Sequence, residues 1–464
     1  DEFICVSIKN NIWYQFVKHR WYEIDSGNSL RLLISTKMHD LYAKKMHEAV
    51  NALQKTDTTD DNYEAFRKRG NKLADICILL KKTQWKNNIM REAKELFYDK
   101  DFINKVDNNP YLLCCNNCVI DFKHKIARDG QPDDYISKCT NIDFVATKDI
   151  SDNATIEEVR KFMKELFPNE ELRTYMWEHL ASSLIGTNSN QTFNIYTGSG
   201  RNGKSKLVDL MSKMLGDYKA SVPMALLTQK RTSIGSTSSE IVQLMGVRYA
   251  VMQEPTKGDK INEGIMKEIT GGDPIQGRAL FKEAVTFIPQ FNLVVCTNTL
   301  FDIKSNDDGT WRRIRVCDFM SKFLDLPNED DNFPVEDYPY QYTIDRLIES
   351  KFEKWAPILM ALLVDMAFEK NGYVKDCPLV LGSSKQYREG QDFLAEFVKE
   401  KIRKVKGGKI KRTELWEVFK QWYTINYGRG LPKAREVNEY LDKKFGKKWI
   451  DIAISYDEDS DEEN

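Results

Sequence analysis

The sequence predicts an α/β protein with a largely parallel sheet at its centre. A mainly helical module precedes the sheet and a small basic helical module follows it. Three observations carry this expectation. Four apolar segments, at 193–197, 248–252, 291–296 and 314–319, alternate with helical stretches, the pattern of parallel strands buried on both faces. The first segment runs into a glycine-rich loop, G-S-G-R-N-G-K-S at 198–205, and on into an amphipathic helix over 204–215. Apolar residues recur at helical spacing over 30–53, 63–80 and 86–98, and again over 393–405, 412–427 and 434–445.

In chain order, residues 1–30 are rich in aromatics (Trp13, Tyr14, Phe16, Trp21, Tyr22) and carry a turn at Asp25-Ser26-Gly27-Asn28, so they read as a small β element. Short strands are expected at 111–113 and 119–122. Residues 1–150 thus form the mainly helical module, with a boundary at 150–155. Helices at 156–167 and 171–185 open the core, which runs over 151–340. A helical extension occupies 341–391, and the basic module occupies 392–450. The tail, 451–464, is expected to be an acidic disordered end. No internal repeat is visible.

The chain has 464 residues, 41% apolar and 30% charged, which suits a soluble globular protein of several domains. No apolar run reaches the length of a membrane span, so no membrane partner is expected. The first residues, Asp1-Glu2-Phe3, lack a basic start, an apolar stretch and a Met, so the chain is expected to be a piece of a longer polypeptide. The 69 basic and 70 acidic residues nearly cancel, to −1, but they are unevenly placed. Residues 399–448 hold 16 Lys or Arg against 6 Asp or Glu, while 457–464 hold six acids and no base. The basic block suits a polyanion or, equally, a solvated helix face. The tail reads as a solubilising end, with a partner-binding arm or DNA mimic as the alternative. Nine cysteines at irregular spacing in so large a chain indicate a reducing compartment. Cys115 and Cys118 form a C-x-x-C, either a metal pair or buried thiols on a strand. His19, His39, His47, His124 and His179 have no metal-ligand spacing.

The glycine-rich loop carries the chemistry. Gly198, Gly200 and Gly203 allow a tight turn that aims N–H groups at phosphate oxygens, at a helix N-terminus that favours anions. Ser199, Arg201 and Asn202 complete the cradle. Lys204 is expected to reach the β- and γ-phosphates, and the Ser205 hydroxyl to ligate Mg²⁺. Hydrolysis also needs an acid at the end of a neighbouring strand, and Glu254 follows the strand at 248–252. Glu254 is therefore the candidate to orient water or to hold the metal through bound water. The apolar strand at 291–296 leads to Asn298, a candidate γ-phosphate sensor or simply a strand-end turn. Arg312 and Arg313 are candidates for an arginine finger, or a surface pair. Between acid and sensor, residues 279–281 and 285–287 flank Lys282-Glu283 and read as a β-hairpin with a charged tip.

Taken together, these stretches resemble the superfamily 3 helicases, and most closely the helicase part of the poxvirus-type primase–helicases of nucleocytoplasmic large DNA viruses. The resemblance rests on G-S-G-R-N-G-K-S at 198–205, L-M-G-V-R-Y-A at 244–250, Q-E-P at 253–255 and I-N-E-G-I-M-K-E-I-T-G-G-D at 261–273. It continues through R-A-L-F-K-E at 278–283, F-I-P-Q-F at 287–291, C-T-N at 296–298 and G-T-W-R-R at 309–313. Upstream, I-W-Y-Q-F-V-K-H-R-W at 12–21 and N-C-V-I-D-F at 117–122 look like the module that precedes the motor. Residues 392–450 look like its winged-helix-like C-terminal domain.

The resemblance implies an AAA+-type P-loop ATPase core that uses ATP and Mg²⁺. It implies a ring, usually a hexamer, translocating on single-stranded DNA to open forks during viral DNA replication. ATP would sit between subunits. Lys204 and Ser205 would be nucleotide ligands, Glu254 the catalytic acid, Asn298 the sensor, Arg312 or Arg313 the finger, and Lys282 a contact to DNA in the channel. An upstream primase domain in the full-length chain and a site of action in the host cytoplasm are implied as well. One departure is that Gln253 stands where many relatives have a second acid. The alternatives are an AAA+ ATPase that remodels or packages nucleoprotein without separating strands, a nucleotide kinase, and a DNA-binding scaffold.

Overall fold

The computed structural model describes residues 2–228, 238–253, 261–278, 284–301, 303, 307–427 and 431–455. At its centre lie five parallel strands in the order Ile314–Asp318, Phe193–Thr197, Asn292–Thr297, Tyr249–Gln253 and Lys219–Ser221. Four were expected. The fifth, K-A-S, is a short edge strand without the apolar run that marks the others. Side chains alternate across the sheet. Phe193, Ile195, Leu293 and Val295 enter one apolar core, while Tyr196, Val294, Val251 and Cys317 enter the other. Both faces are covered, which is why the strands read as continuous apolar runs.

Helices Asn153–Leu166, Glu170–Ser182, Lys204–Leu215 and Ile348–Lys370 cover one face. Helices Glu263–Gly271 and Asp308–Trp311 cover the other, joined by Tyr387 from helix Pro378–Gln391. Caps fix where several of these helices start. Asp152 accepts from Thr155 N–H at 3.0 Å and Asn169 from Leu172 N–H at 3.1 Å, each satisfying an orphan donor of the first turn.

His179 is buried under the sheet with its Nε2 2.8 Å from the Tyr196 hydroxyl, and burial holds its pKa down to about 4. The folded value lies below the ordinary 6.5, so the unfolded chain binds that proton more tightly. The stability His179 contributes is therefore complete above about pH 6.5 and declines as pH falls toward 4. Denaturant titrations at pH 7 and pH 5 are expected to show the wild type losing about 2 kcal/mol more than His179→Gln.

The N-terminal 100 residues begin with an antiparallel sheet, Phe3–Ser7, Ile12–Val17 and Arg20–Asp25, built around Trp13 and Trp21. The long helices His39–Lys55 and Asp61–Lys81 pack as a hairpin, followed by Thr83–Leu96. A second three-stranded sheet, Leu112–Cys114, Val119–Asp121 and Ile126–Arg128, sends Leu113 and Ile120 into the main core, where the following Phe122 joins them. The chain thus passes 150–155 without a break in packing. Two arginines fasten the N-terminal part to the sheet. Arg20 pairs with Asp217 at 2.8 Å. Buried Arg248 donates to the carbonyls of Asn109 and Leu112 at 3.1 and 3.0 Å. Cys115 donates its N–H to the Cys118 carbonyl at 2.8 Å, closing the strand turn with both thiols buried. Among the described residues no group of three or more His, Cys, Asp or Glu is placed to hold a metal.

At the C-terminal end the expected helix over 393–405 stops at Lys401. The next eight residues, Ile402–Lys409, form a strand paired antiparallel with Ile450–Ile454. Two glycines lie where the register of this ribbon shifts, between Lys404 and Lys409. Gly407 has φ +79°, and a side chain at Gly408 would meet the Ile452 carbonyl at 2.7 Å. Helices Phe393–Lys401, Arg412–Tyr427 and Ala434–Phe445 enclose Phe397, Phe419, Trp422, Leu441 and Trp449 beside this ribbon. The expected disordered tail, 451–464, is corrected at its start, because Ile450–Ile454 is this paired strand with Ile452 and Ile454 buried; residues 456–464 lie outside the described residues. Among the described residues no helix is long and apolar enough to cross a membrane.

Candidate functional site

Strand Phe193–Thr197 ends where the loop begins, and helix Lys204–Leu215 starts where it ends. The glycines are needed. Gly198 has φ 156° and Gly200 φ 84°, and the helix cap Gly203 has φ 78°. A side chain at Gly198 would collide with Asn202 Nδ2 at 2.0 Å, and one at Gly203 with Leu166 at 2.4 Å. Arg201 is left-handed as well, φ 52°. A run of such residues turns successive amides toward one side, the shape of an anion cradle. Asn202 is buried, and its Nδ2 donor has no partner among the described residues. A buried donor without an acceptor suits a loop built to receive anionic oxygens.

Lys204 sits at the bottom of this loop, 7% exposed. Its Nζ donates to the carbonyl of Gly198 at 2.8 Å, to Asn202 Oδ1 at 3.2 Å and to Asn298 Oδ1 at 3.0 Å. All three acceptors are neutral, and burial lowers the Lys204 pKa. The expected sensor Asn298 therefore does reach the expected phosphate lysine. The sheet order explains it: strand Asn292–Thr297 runs beside Phe193–Thr197 with Thr297 level with Thr197, so Asn298 emerges next to the loop. Ser205 is exposed on the first helical turn, where a hydroxyl can take a cation. On its other side, Cys296 lies level with Gln253. Glu254, one residue further, lies outside the described residues.

A cavity of about 530 Å³ opens from the loop. Gly200, Lys204, Ser205 and Asn298 line it together with Phe162, Phe323, Ile344 and Ile348. Its wall thus combines the anion cradle with aromatic, aliphatic and charged side chains, among them Asp345, Arg346 and Glu349.

Arg312 and Arg313 stand at the opposite end of the sheet. Ile314 pairs with Phe193 and Asp318 with Thr197, so the arginines precede the start of a strand whose far end meets the loop. Four residue steps at ~3.3 Å put them about 13 Å or more from their own loop. They also differ from each other. Arg313 donates to the Gly309 carbonyl at 2.7 Å, and its Nε is buried without a partner among the described residues. Arg312 is exposed and makes no ion pair among the described residues. Ile275–Arg278 pairs antiparallel with Ala284–Phe287, while the expected first hairpin strand, 279–281, lies outside the described residues. The hairpin tip, with Lys282, lies outside the described residues as well.

Two residues of the site have no signal in the sequence reading. Lys322 and Phe323 open a short strand, Lys322–Leu324, paired in parallel with Gln341–Thr343. Phe323 N–H donates to the Arg201 carbonyl at 2.8 Å, and its ring lines the cavity. Lys322 Nζ donates to Ser199 Oγ at 2.7 Å and to the Gly200 carbonyl at 2.8 Å. An apolar residue beside a lysine after the last core strand is too common a pattern to point at a loop more than a hundred residues earlier in the chain.

Residues 1–168 match the D5 N terminal like family, and residues 196–313 match a family of unknown function (DUF5906). The chain is 36% identical over 442 residues to "Putative helicase L207/L206" of Acanthamoeba polyphaga mimivirus, covering 94% of this chain and 46% of that protein. It is 27% identical to "Putative helicase 022R" of Frog virus 3 (isolate Goorha), covering 97% of this chain and 56% of that protein. It is 25% identical to "Putative primase C962R" of African swine fever virus (isolate Warthog/Namibia/Wart80/1980), covering 79% and 39%. The chain thus spans about half the length of the curated relatives it matches.

Proposed function

The chain is primase–helicase-like, a relative of the helicase- and primase-named proteins of large DNA viruses, and from that premise we propose that it is an ATP-dependent DNA helicase of the superfamily 3, AAA+ type. The observation that carries the proposal is the convergence of Lys204 and Asn298, 3.0 Å apart, at the base of a glycine-built cradle. The order of the sheet supports it, because the sensor strand lies between the loop strand and the strand that leads to Glu254.

In this reading the loop amides, Lys204 and the orphan Asn202 donor bind the phosphates of ATP, while the base enters the cavity beside Phe323. Ser205, with Glu254 through water, would hold Mg²⁺, which would supply positive charge to neutralise the phosphates. Asn298 shifts from Lys204 to the γ-phosphate and, with Glu254, orients the attacking water. No chain can supply Arg312 to its own loop across the sheet, so the finger comes from a neighbouring subunit. A closed ring of subunits, a hexamer in the simplest case, supplies every loop with one. The hairpin carrying Lys282 then grips phosphates of single-stranded DNA, which makes binding weakly selective for sequence and strongly dependent on salt. The same reading places the protein at viral replication sites in the host cytoplasm, with a primase domain elsewhere in the full-length chain.

The test is ATP turnover with and without single-stranded DNA, measured beside unwinding of a forked duplex. DNA-stimulated turnover with strand separation is expected. Turnover that leaves the fork intact would favour nucleoprotein remodelling, and no turnover would end the ATPase reading. Phe323→Ala removes the ring from the base slot. It is expected to raise the KM for ATP by roughly 5- to 100-fold, the worth of one base–aromatic stack, with kcat little changed in steady-state assays.

A further inference from the structure

Among the described residues Lys322 is a buried cation without an anion. It is 2% exposed, and no carboxylate pairs with it among the described residues. The nearby acid Asp330 lies against Arg201, 3.7 Å away. Lys322 instead faces neutral partners: Ser199 Oγ, the Gly200 carbonyl, and the rings of Phe333 and Tyr338, with centroids 4.8 and 4.9 Å from Nζ. Burying an ammonium group on neutral acceptors alone is costly, and burial lowers its pKa accordingly. A standing cost of this kind calls for a compensating role.

The loop geometry supplies one. In a trans peptide the C=O and the next N–H point in opposite directions. The Gly200 carbonyl is held by Lys322 Nζ, so the Arg201 N–H is aimed away from Lys322. The Arg201 carbonyl is held by Phe323 N–H at 2.8 Å, so the Asn202 N–H is likewise aimed away from the 322–324 strand. Gly200 has φ 84° and nothing within 4 Å of its Cβ position, so no packing of its own fixes that peptide. The short strand at 322–324 therefore acts as a clamp on the outer arm of the loop.

We propose that Lys322 is a positioning residue for nucleotide binding: it holds the Gly200 peptide so that the Arg201 amide faces the phosphates, and it adds a fixed positive charge behind them. The proposal rests on the reading of residues 198–205 as the ATP site. The charge and the clamp are in place before nucleotide arrives, so the effect falls on affinity rather than on the chemical step.

The experiment compares ATP and ADP affinity, kcat and apo melting temperature for the wild type, Lys322→Met and Lys322→Arg. Lys322→Met keeps the length of the side chain without charge or donors. It is expected to weaken binding of both nucleotides roughly 10- to 100-fold, the worth of hydrogen bonds to a charged group, with kcat at saturation close to wild type. Lys322→Arg is expected to recover part of the affinity. Should Lys322→Met fail to fold, Phe333→Leu with Tyr338→Leu opens the box from its half-exposed side, with an expected loss of about two- to fivefold. Wild-type affinity in a folded Lys322→Met, or in the double variant should Lys322→Met not fold, overturns the proposal. So does a loss confined to kcat or melting temperature. A wild type that neither binds nor hydrolyses ATP overturns the nucleotide-site reading itself, a different outcome.

Discussion

Lys204→Ala is expected to lower ATP turnover by at least roughly 10²–10³-fold and to abolish fork unwinding, with the fold intact. The size of the effect follows from where the lysine sits. Its ammonium is buried at the base of the cradle and surrounded by three neutral oxygens, from Gly198, Asn202 and Asn298. Among the described residues no carboxylate neutralises it, so the charge is available to a phosphate in a site of low dielectric, where it counts for more than in water. Its removal leaves acceptors at the mouth of an open cavity, which water can satisfy, so little stability is lost. Turnover by phosphate release and apo melting temperature measured together separate the two effects. A well-folded Lys204→Ala that unwinds a fork normally would show that the motor assignment is wrong.

The second large effect is expected at Arg312. Its replacement by Ala should reduce turnover by ~10³–10⁵-fold, the usual worth of a finger, while leaving ATP affinity nearly unchanged. Arg313→Ala should behave differently. Arg313 is tied to the Gly309 carbonyl and partly buried beside helix Glu263–Gly271, so its loss should cost about 1–2 kcal/mol of stability. The pair is adjacent in sequence, and only the structure separates an exposed guanidinium from a packed one. The expected contrast is a folded, nucleotide-binding, inactive Arg312→Ala beside a less stable Arg313→Ala that retains turnover. The reverse contrast would move the finger role to Arg313.

Much of this site was legible in the sequence because its parts are local. A strand, a glycine loop and a helix lie within 193–215, and the structure has each within a residue of the expected place. Asn298 could be read because it ends an apolar strand, and parallel strands bring their ends together. The misses have physical reasons. In Ile275–Arg278 the inward positions are Ile275 and Gly277, and Gly277 is small because a side chain there would meet Val242 at 2.9 Å. A glycine on the inward face hides the alternation that marks a strand. In Ile402–Lys409 most residues are exposed lysines, arginines and glycines, so pairing with Ile450–Ile454 leaves little apolar trace. Lys322 is the plainest case. Its position is set by a strand that reaches back over the loop, and nothing nearby in sequence distinguishes it from a surface lysine. Arg248, which would be placed on the surface by residue type alone, is buried because three acceptors on two chain segments converge on it: the Gln290 side chain and the Asn109 and Leu112 carbonyls.

The central claim is that the loop of one subunit is completed by Arg312 of the next. The most direct measurement mixes two inactive proteins, Lys204→Ala and Arg312→Ala, under conditions that allow subunits to exchange, and follows ATP turnover. In a mixed ring some interfaces pair an intact loop from an Arg312→Ala subunit with an intact finger from a Lys204→Ala subunit. Activity should therefore appear where neither protein alone has any. If the mixture stays as inactive as its components while the two proteins are shown to co-assemble, the loop and the arginine do not share a site across a subunit boundary, and the account is wrong at its centre.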